Sequence, residues 1–300
     1  MSTYDGPVID PHHHLWSLAG DHYPWLLPTG GFAVLPTMDV LRTDYVVEDY
    51  LRDTERQNIV ASVHVEALPA DPVWETRWLE SLPKDLGVAT RYVAGCPFSV
   101  PETERIMREQ AEFARVAGIR QTIAWHPNPE RSPLPAPSVT RDSEWRKGAG
   151  LAQELGLSLD LLMFPWQYDE VLELGRIFPE LTLVVNHCAS PIERGEDDLS
   201  DWRRSIKLLA SSPNIVMKIS SLASYDPQPS QRSFNLIIDE LVAAFGPTRA
   251  MFASDWPVGT MKMTFGDVYS MFREQAEKYS AGEQRALFHD TAAQVYYIAA

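Results

Sequence analysis

The sequence has few cysteines and no long hydrophobic segment. Cys96 and Cys188 are the two cysteines in 300 residues, and they stand far apart, outside any Cys-x-x-Cys spacing. This pattern excludes a disulfide framework and a thiolate zinc site, so we expect both to be small buried residues. No stretch reaches the roughly 18 consecutive apolar residues of a membrane span. We therefore expect no transmembrane helix and no membrane partner.

Basic residues are in deficit as well. The chain has 26 Lys and Arg residues against 41 Asp and Glu residues, a net charge of −15, and no basic cluster offsets it. Because such a chain repels phosphate backbones, we expect no nucleic-acid partner and a small-molecule substrate instead. The start "MSTYDGPVID" lacks the basic and apolar regions of a signal peptide, which predicts a cytoplasmic location. The composition is compatible with a homo-oligomer.

The glycine-rich phosphate-binding motifs are also missing. No GxGxxG or GxxxxGK[ST] follows an apolar run, which disfavours a doubly wound nucleotide-binding sheet. What the chain does contain is a series of short, β-branched apolar runs, each typical of a buried strand. Eight such runs begin at Val8, Ile59, Arg91, Gly118, Leu157, Leu181, Ile215 and Ala250.

Amphipathic segments separate most of these runs and predict helices. They begin at Val46, Pro101 (with a glycine stop at Gly118), Ser143, Asp169 and Asp201, and a closing helix is predicted over residues 282–298. Alternating buried strands and helices, with no break in composition, predict one (β/α)8 TIM barrel over residues 1–300. Two proline-rich stretches, residues 22–37 and 126–138, follow strands one and four and predict long loops at the barrel mouth.

Polar residues mark the ends of three predicted strands. In "VIDPHHHLW" the side chains alternate between faces, so His12 and His14 point one way and His13 the other. Three adjacent histidines alone would be typical of a solvated turn. However, His187 ends "LTLVVNHC" and Asp255 ends "AMFASDW". A core histidine or a turn cap would explain either residue alone, but their convergence on one rim favours a functional site.

These residue types suit hydrolytic chemistry. Strands one and eight are neighbours in a closed barrel, so His12, His14 and Asp255 should lie within ligand distance of one another. Two imidazoles and a carboxylate suit a zinc-like ion with an open position. Alternatively, Asp255 is a general base acting on water while His187 polarises a scissile carbonyl.

The motifs "DPHHHLW" and "FASDWPV" resemble the amidohydrolase superfamily, and more closely the amidohydrolase-2 group of sugar lactonases and 2-pyrone-4,6-dicarboxylate lactonase. "GIRQ" at Gly118 and "NHCASP" at Asn186 occur in the order that this group shows. The resemblance implies a TIM-barrel hydrolase that opens a lactone ring. It implies His12 and His14 as the HxH pair, His187 as the strand-six histidine and Asp255 as the water-activating aspartate.

The resemblance further implies that Arg120 and Lys218 direct cations toward a substrate carboxylate, although each could equally form a structural ion pair. It also implies one divalent ion, with zinc the expected metal and catalysis without metal left open.

The chain departs from the family pattern on two strands. Strand four ends "IAWHP", without the bridging lysine of binuclear members, and strand five ends "LLMFPW", without a histidine ligand. A binuclear site is therefore disfavoured. Glu66 could supply an extra ligand, or it could be a capping or paired carboxylate. His126 could contact the substrate, or it could be a loop histidine.

Three functions remain on this reading. A lactonase is the main prediction. A non-oxidative decarboxylase of an aromatic or unsaturated acid is the alternative and requires a firmly bound divalent ion. A catalytically silent binding barrel is disfavoured, because buried polar groups are costly to keep without a use.

Overall fold

The protein folds as a barrel of parallel strands; its structure, a computed structural model, describes residues 3–32, 35 and 38–299. The strands are β1 (Val8–His13), β2 (Ile59–Val65), β3 (Arg91–Gly95), β4 (Val116–Thr122), β5 (Ser158–Leu162), β6 (Leu183–Val185), β7 (Ile215–Ile219) and β8 (Ala250–Phe252). They pair in chain order. The Asp255 N–H donates to the His12 carbonyl (2.8 Å), and the His14 N–H donates to the Trp256 carbonyl (2.7 Å). These bonds join β1 to the segment after β8, so the predicted (β/α)8 barrel is confirmed.

Helices connect most strands and cover the outside of the barrel. They are α1 (Val47–Thr54), α2 (Pro72–Ser81), α3 (Thr103–Ala111), α4 (Ser143–Glu154), α5 (Tyr168–Ile177), α6 (Glu196–Ala210), α7 (Gln231–Phe245), α8 (Phe265–Ala276), α9 (Ala281–Arg285) and α10 (Thr291–Val295). One π-helical turn, Ala286–Asp290, joins α9 to α10. Among the described residues, none of these helices combines the length and apolar character that a membrane crossing requires.

The barrel interior is filled from the strands and sealed by the end of the chain. Inward side chains such as Val63 and Val93 pack with Tyr296 and Ile298, which follow α10. Arg91, the first residue of β3, donates to the carbonyls of Tyr296 (3.2 Å) and Tyr297 (2.7 Å). The chain end therefore covers the amino ends of the strands, which leaves the carboxyl ends open for a site.

Several element boundaries differ from the sequence prediction. The segment from Pro101 was expected to stay helical up to Gly118, but α3 ends at Ala111 and Gly118 lies inside β4. A Cβ at Gly118 would come within 2.1 Å of Ser158 Oγ on the paired strand β5, so close strand approach explains this glycine. Three helices, α2, α7 and α8, were not predicted. Of the first proline-rich stretch, residues 33–34 and 36–37 lie outside the described residues.

Candidate active site at the barrel mouth

Four polar side chains meet where the strands end. His12 and His14 lie at the end of β1, His187 follows β6 and Asp255 follows β8. All three histidines face one atom, Asp255 Oδ1. The distance from this atom to Nε2 is 3.5 Å for His12, 3.3 Å for His14 and 3.9 Å for His187. All four side chains are buried. The barrel thus brings together the residues that the sequence placed on one rim.

The third histidine of the run faces the other way. His13 Nε2 lies 2.9 Å from Ser62 Oγ, and its ring centroid is 4.3 Å from that of Tyr50 on α1. His13 is therefore packed between the sheet and a covering helix. A side-chain period of two places only its neighbours at the mouth.

The arrangement of His12 and His14 fits a bound cation. His14 Nδ1 lies 2.7 Å from the Val65 carbonyl oxygen, which only accepts, so in the neutral ring the Nε2 lone pair faces Asp255. Both ring nitrogens of His12 are buried without a hydrogen-bond partner among the described residues. Lone pairs that face a carboxylate are unfavourable unless a cation lies between them. His12, His14 and Asp255, with ligand atoms within 4.8 Å of one another, form a possible site for one divalent ion such as zinc.

Asp255 is held in its ionised form. Burial alone would raise the pKa of this carboxyl, but His187 with its N–H facing Oδ1, positive charge between His14 and Oδ1, and the Ser221 hydroxyl outweigh burial and hold the pKa below its usual value. Ser221 Oγ donates to Asp255 Oδ2 at 2.6 Å. The other carboxylate oxygen, Oδ1, therefore remains directed at the histidines and can accept a proton.

His187 is neutral and oriented by a serine. Burial, together with the cations around it, lowers the pKa of His187 to about 3, although Asp255 opposes this shift. Ser220 Oγ accepts the backbone N–H of His187 at 3.3 Å and lies 2.9 Å from its Nδ1. The Ser220 hydroxyl uses its proton when it donates to Nδ1. Nδ1 is then an acceptor, so the imidazole proton is on Nε2. His187 can then donate a hydrogen bond at the site.

The backbone is left-handed at three of these strand ends. His187, Ser221 and Asp255, which follow β6, β7 and β8, have φ angles of 54°, 59° and 59°. A non-glycine residue in this region costs about 1–3 kcal/mol and persists when the surrounding structure enforces it. Two of these residues face the carboxylate of the third, because His187 Nε2 lies 3.9 Å from Asp255 Oδ1 and Ser221 Oγ donates to Asp255 Oδ2.

A buried aspartate beneath the rim fixes the junction of β1 and β8. Asp10 accepts the Ser254 backbone N–H (2.9 Å), the Ser254 hydroxyl (2.6 Å) and the Tyr50 hydroxyl (2.8 Å). Burial raises the pKa of Asp10, and these hydrogen bonds oppose the rise. Asp10 was not predicted as a site residue, although an acid inside the apolar run "VIDP" is a signal that could have identified it.

A largely apolar pocket leads to Asp255. Its volume is about 480 Å³ with its open mouth included. The lining comprises His14, Trp25, Phe32, Leu35, Ala67, Leu68, Arg120, Leu162, His187, Ser221, Tyr225, Asp255 and Val258. Burial, with Asp255 nearby, raises the pKa of Tyr225, so this phenol stays protonated and can donate. Tyr225 and Ser221 were not predicted from the sequence. For Ser221 the signal was the serine pair at the end of a strand in "KISSL", which resembles His187 at the end of "VVNH".

Arg120, the predicted substrate contact, lines this pocket, and Glu66 holds it there. Arg120 Nη1 donates to the Glu66 carbonyl at 3.3 Å and lies 3.5 Å from Glu66 Oε1. Glu66 Oε2 accepts the Leu68 N–H at 2.7 Å. Within the described residues, the carboxylate of Glu66 is not part of the ligand cluster around Asp255, because Arg120 and Leu68 engage it instead.

Lys218 lies in the barrel interior and not in the pocket lining. Its Nζ is 2.6 Å from Asp160 Oδ2, and both side chains are fully buried. Asp160 also accepts from the Tyr296 hydroxyl (3.0 Å) and from Asn186 Nδ2 (3.0 Å). Lys218 therefore has a carboxylate partner of its own, and this geometry gives no support to the predicted contact with a substrate carboxylate.

His126 lies above the strands beside a different acid. Its Nε2 is 3.5 Å from Glu193 Oε1, its Nδ1 accepts the Asn128 N–H at 2.9 Å, and its ring packs near Phe164 and Trp166. The structure thus places His126 in the mouth loop, and it is not among the residues that line the pocket.

Comparison with known proteins agrees with this architecture. The chain is 34% identical to the uncharacterized protein y4mH of Sinorhizobium fredii, over 98% of this chain and 99% of that protein. It is 27% identical to an L-fucono-1,5-lactonase of Burkholderia multivorans, over 96% and 95% of the two chains. An amidohydrolase from Burkholderia multivorans, solved with bound Hepes and with bound zinc, superposes with a TM-score of 0.82, at 26% identity over 97% of this chain and 99% of that one.

The family model for amidohydrolases matches residues 9–298, nearly the whole chain and all of the site described above. The chain therefore belongs to the amidohydrolase family and is a hydrolase.

Proposed function

We propose that the protein is a lactonase that opens the ring of a carboxylated or sugar-derived lactone with a water molecule activated by Asp255. The observation that carries the proposal is the ionised Asp255, whose Oδ1 faces three histidine Nε2 atoms at 3.3–3.9 Å on the floor of a pocket. The similarity to an L-fucono-1,5-lactonase supports the choice of a lactone as substrate.

In this mechanism the Asp255 carboxylate, held in place by the Ser221 hydroxyl on Oδ2, removes a proton from water. The water oxygen bonds to the lactone carbonyl carbon, and the His187 Nε2–H donates to the carbonyl oxygen as it gains negative charge. The bond between that carbon and the ring oxygen then breaks. Asp255 returns its proton to the departing ring oxygen, which gives a hydroxy acid.

His12 and His14, with Asp255, would hold one divalent ion, for which zinc is the choice that the nitrogen and oxygen donors favour. When bound, such an ion supplies Lewis-acid stabilisation of negative charge at an oxygen of the reacting group. The zinc-bound Burkholderia multivorans neighbour supports this assignment. The role of the protein is to fix the two imidazoles, which the Val65 carbonyl does for His14.

Arg120 is the proposed contact for a carboxylate or hydroxyl oxygen of the substrate. It lines the pocket, so its guanidinium presents a donor at the pocket wall. Lys218, in contrast, is a buried cation near His12. Burial is the main cause that lowers the pKa of His12, and the positive charge of Lys218 is the second. We propose no direct substrate contact for Lys218, Glu66 or His126.

We further propose that the enzyme is cytoplasmic and acts on a small molecule. Two free, buried cysteines fit a reducing, cytoplasmic compartment. A net charge of −15 opposes nucleic-acid and anionic-membrane partners and leaves a small molecule as the ligand. A homo-oligomer is compatible with this function.

Asp255→Asn tests the mechanism, because it keeps the size of the side chain but removes the base. We expect kcat on any lactone that the wild type opens to fall by about 10²–10⁴-fold with little change in KM. Thermal midpoint and zinc content are measured on the same preparations, so that loss of fold or metal is separated from loss of the base. Asp142→Asn, at the capping residue of α4, is the control and should keep kcat. A folded Asp255→Asn enzyme with more than about a tenth of wild-type kcat would refute the base role.

A further inference from the structure

A second cavity lies beside the active-site pocket and is not used by the mechanism above. We call it the side chamber. It lies at the carboxyl ends of β3 and β4, and its volume is about 1010 Å³ with its open mouth included. Its walls are mainly apolar and include Leu68, Pro72, Phe98, Leu134, Val139 and Trp145.

The side chamber and the active-site pocket share a wall. Arg120 and Leu68 line both cavities, and Glu66, which holds Arg120, lines the side chamber. Arg120 is only 8% exposed, and its Nε has no hydrogen-bond partner among the described residues. As a residue that lines both cavities, Arg120 places a guanidinium donor where a ligand oxygen can reach it.

The chamber wall is held in place before any ligand arrives. Leu134 belongs to the proline-rich stretch 126–138, where Ser132 Oγ donates to the Leu134 carbonyl (2.6 Å) and accepts the His126 N–H (2.9 Å). These bonds fix the loop without help from a substrate. A preformed cavity costs less to fill than one that must be ordered on binding.

We propose that the side chamber is a substrate subsite that takes an apolar arm, aryl or alkyl, carried by the lactone, with a substrate oxygen on Arg120. This inference rests on the proposed lactonase function and narrows its substrate class to lactones with such a substituent.

The chemistry of the wall favours an apolar arm over a polar one. Gln121, one of the few polar residues there, already donates its amide to the Cys96 carbonyl. Hydroxyl groups of a sugar chain would lose water in the chamber without gaining enough partners. An apolar group has no hydrogen bonds to water to lose, and its transfer out of water is favourable.

The test compares lactones with and without an arm. The probes are γ-butyrolactone and δ-valerolactone, each unsubstituted and with a 2-phenylethyl group on each ring carbon in turn. We expect at least one substituted lactone to exceed its parent in kcat/KM by about tenfold or more, the gain that burying an aromatic arm provides.

Leu134→Trp fills the side chamber, and Ala136→Trp adds the same group at an exposed position of the same loop. Leu134→Trp should remove the gain and leave kcat/KM of the parent lactone unchanged, and Ala136→Trp should retain both. An equal loss on both substrates, or a gain that survives Leu134→Trp, would overturn the subsite. If the parent lactones are hydrolysed and no substituted lactone has a higher kcat/KM, the subsite alone is overturned. If no lactone is hydrolysed, the proposed function is overturned with it.

Discussion

The buried carboxyl of Glu75 predicts a specific pH dependence of stability. Glu75, on α2, is 1% exposed, and its Oε1 accepts the Ala67 N–H (3.0 Å) and the Tyr23 hydroxyl (3.1 Å). His64 Nε2 lies 3.6 Å from the same oxygen. Because His64 Nδ1 accepts the Leu15 N–H at 3.2 Å, its proton is on Nε2 and the ring is neutral, so His64 gives Glu75 no positive charge.

The size and sign of the effect follow from the pKa. Burial raises the pKa of Glu75 from 4.5 to about 7. Between these values the folded protein keeps a proton that the unfolded chain has lost, so stability falls as pH rises. The stabilisation is fully present below about pH 4.5 and lost above about pH 7. At about 1.4 kcal/mol per pH unit, it amounts to about 3 kcal/mol.

Glu75→Gln isolates this contribution, because the amide oxygen can still accept both hydrogen bonds but does not titrate. Urea unfolding of wild type and variant is measured from pH 4.5 to 8. All other groups titrate in both proteins, so their effects cancel in the difference between the two free energies of unfolding. From about pH 4.5 to 8, this difference should shift by about 3 kcal/mol in favour of the variant. Glu48→Gln, at an exposed position of α1, is the matched control.

A difference between wild type and Glu75→Gln that stays constant over this range would refute the reasoning. A wild type that gains stability relative to the variant as pH rises would show the opposite arrangement, an ionised Glu75 paired with a protonated His64.

Much of the fold was predictable because parallel strands buried on both faces leave a strong local pattern. Eight apolar runs that alternate with amphipathic segments were sufficient to predict the barrel. The helices that were missed carry local signals too: Asp71 caps α2 directly before Pro72, and Ser230 and Thr264 cap α7 and α8. Such capping residues are a local signal for the start of a helix.

The site was predictable to the extent that local geometry determines it. The two-residue period of β1 separates His13 from His12 and His14 without knowledge of the rest of the chain. The surroundings of Lys218 were not predictable, because its partner Asp160 lies 58 residues away on another strand. A cation in an apolar run shows that a partner exists, but only the barrel shows whether that partner is the protein or the substrate.

Two further predictions concern these residues. His12→Ala or His14→Ala should lower turnover or zinc content and leave the thermal midpoint near that of the wild type. His13→Ala should mainly lower the thermal midpoint. Equal loss of metal or activity in all three variants, with unchanged midpoints, would contradict the assignment. Lys218→Met should destabilise the protein by about 3–5 kcal/mol in urea unfolding, because it leaves the buried Asp160 carboxylate without its cation. Adding Asp160→Asn removes that charge and should recover much of the loss, since replacing a buried ion pair by neutral groups is often close to neutral. If Lys218 instead binds a substrate carboxylate, Lys218→Met would keep the wild-type unfolding curve and raise only KM, and the second substitution would recover nothing.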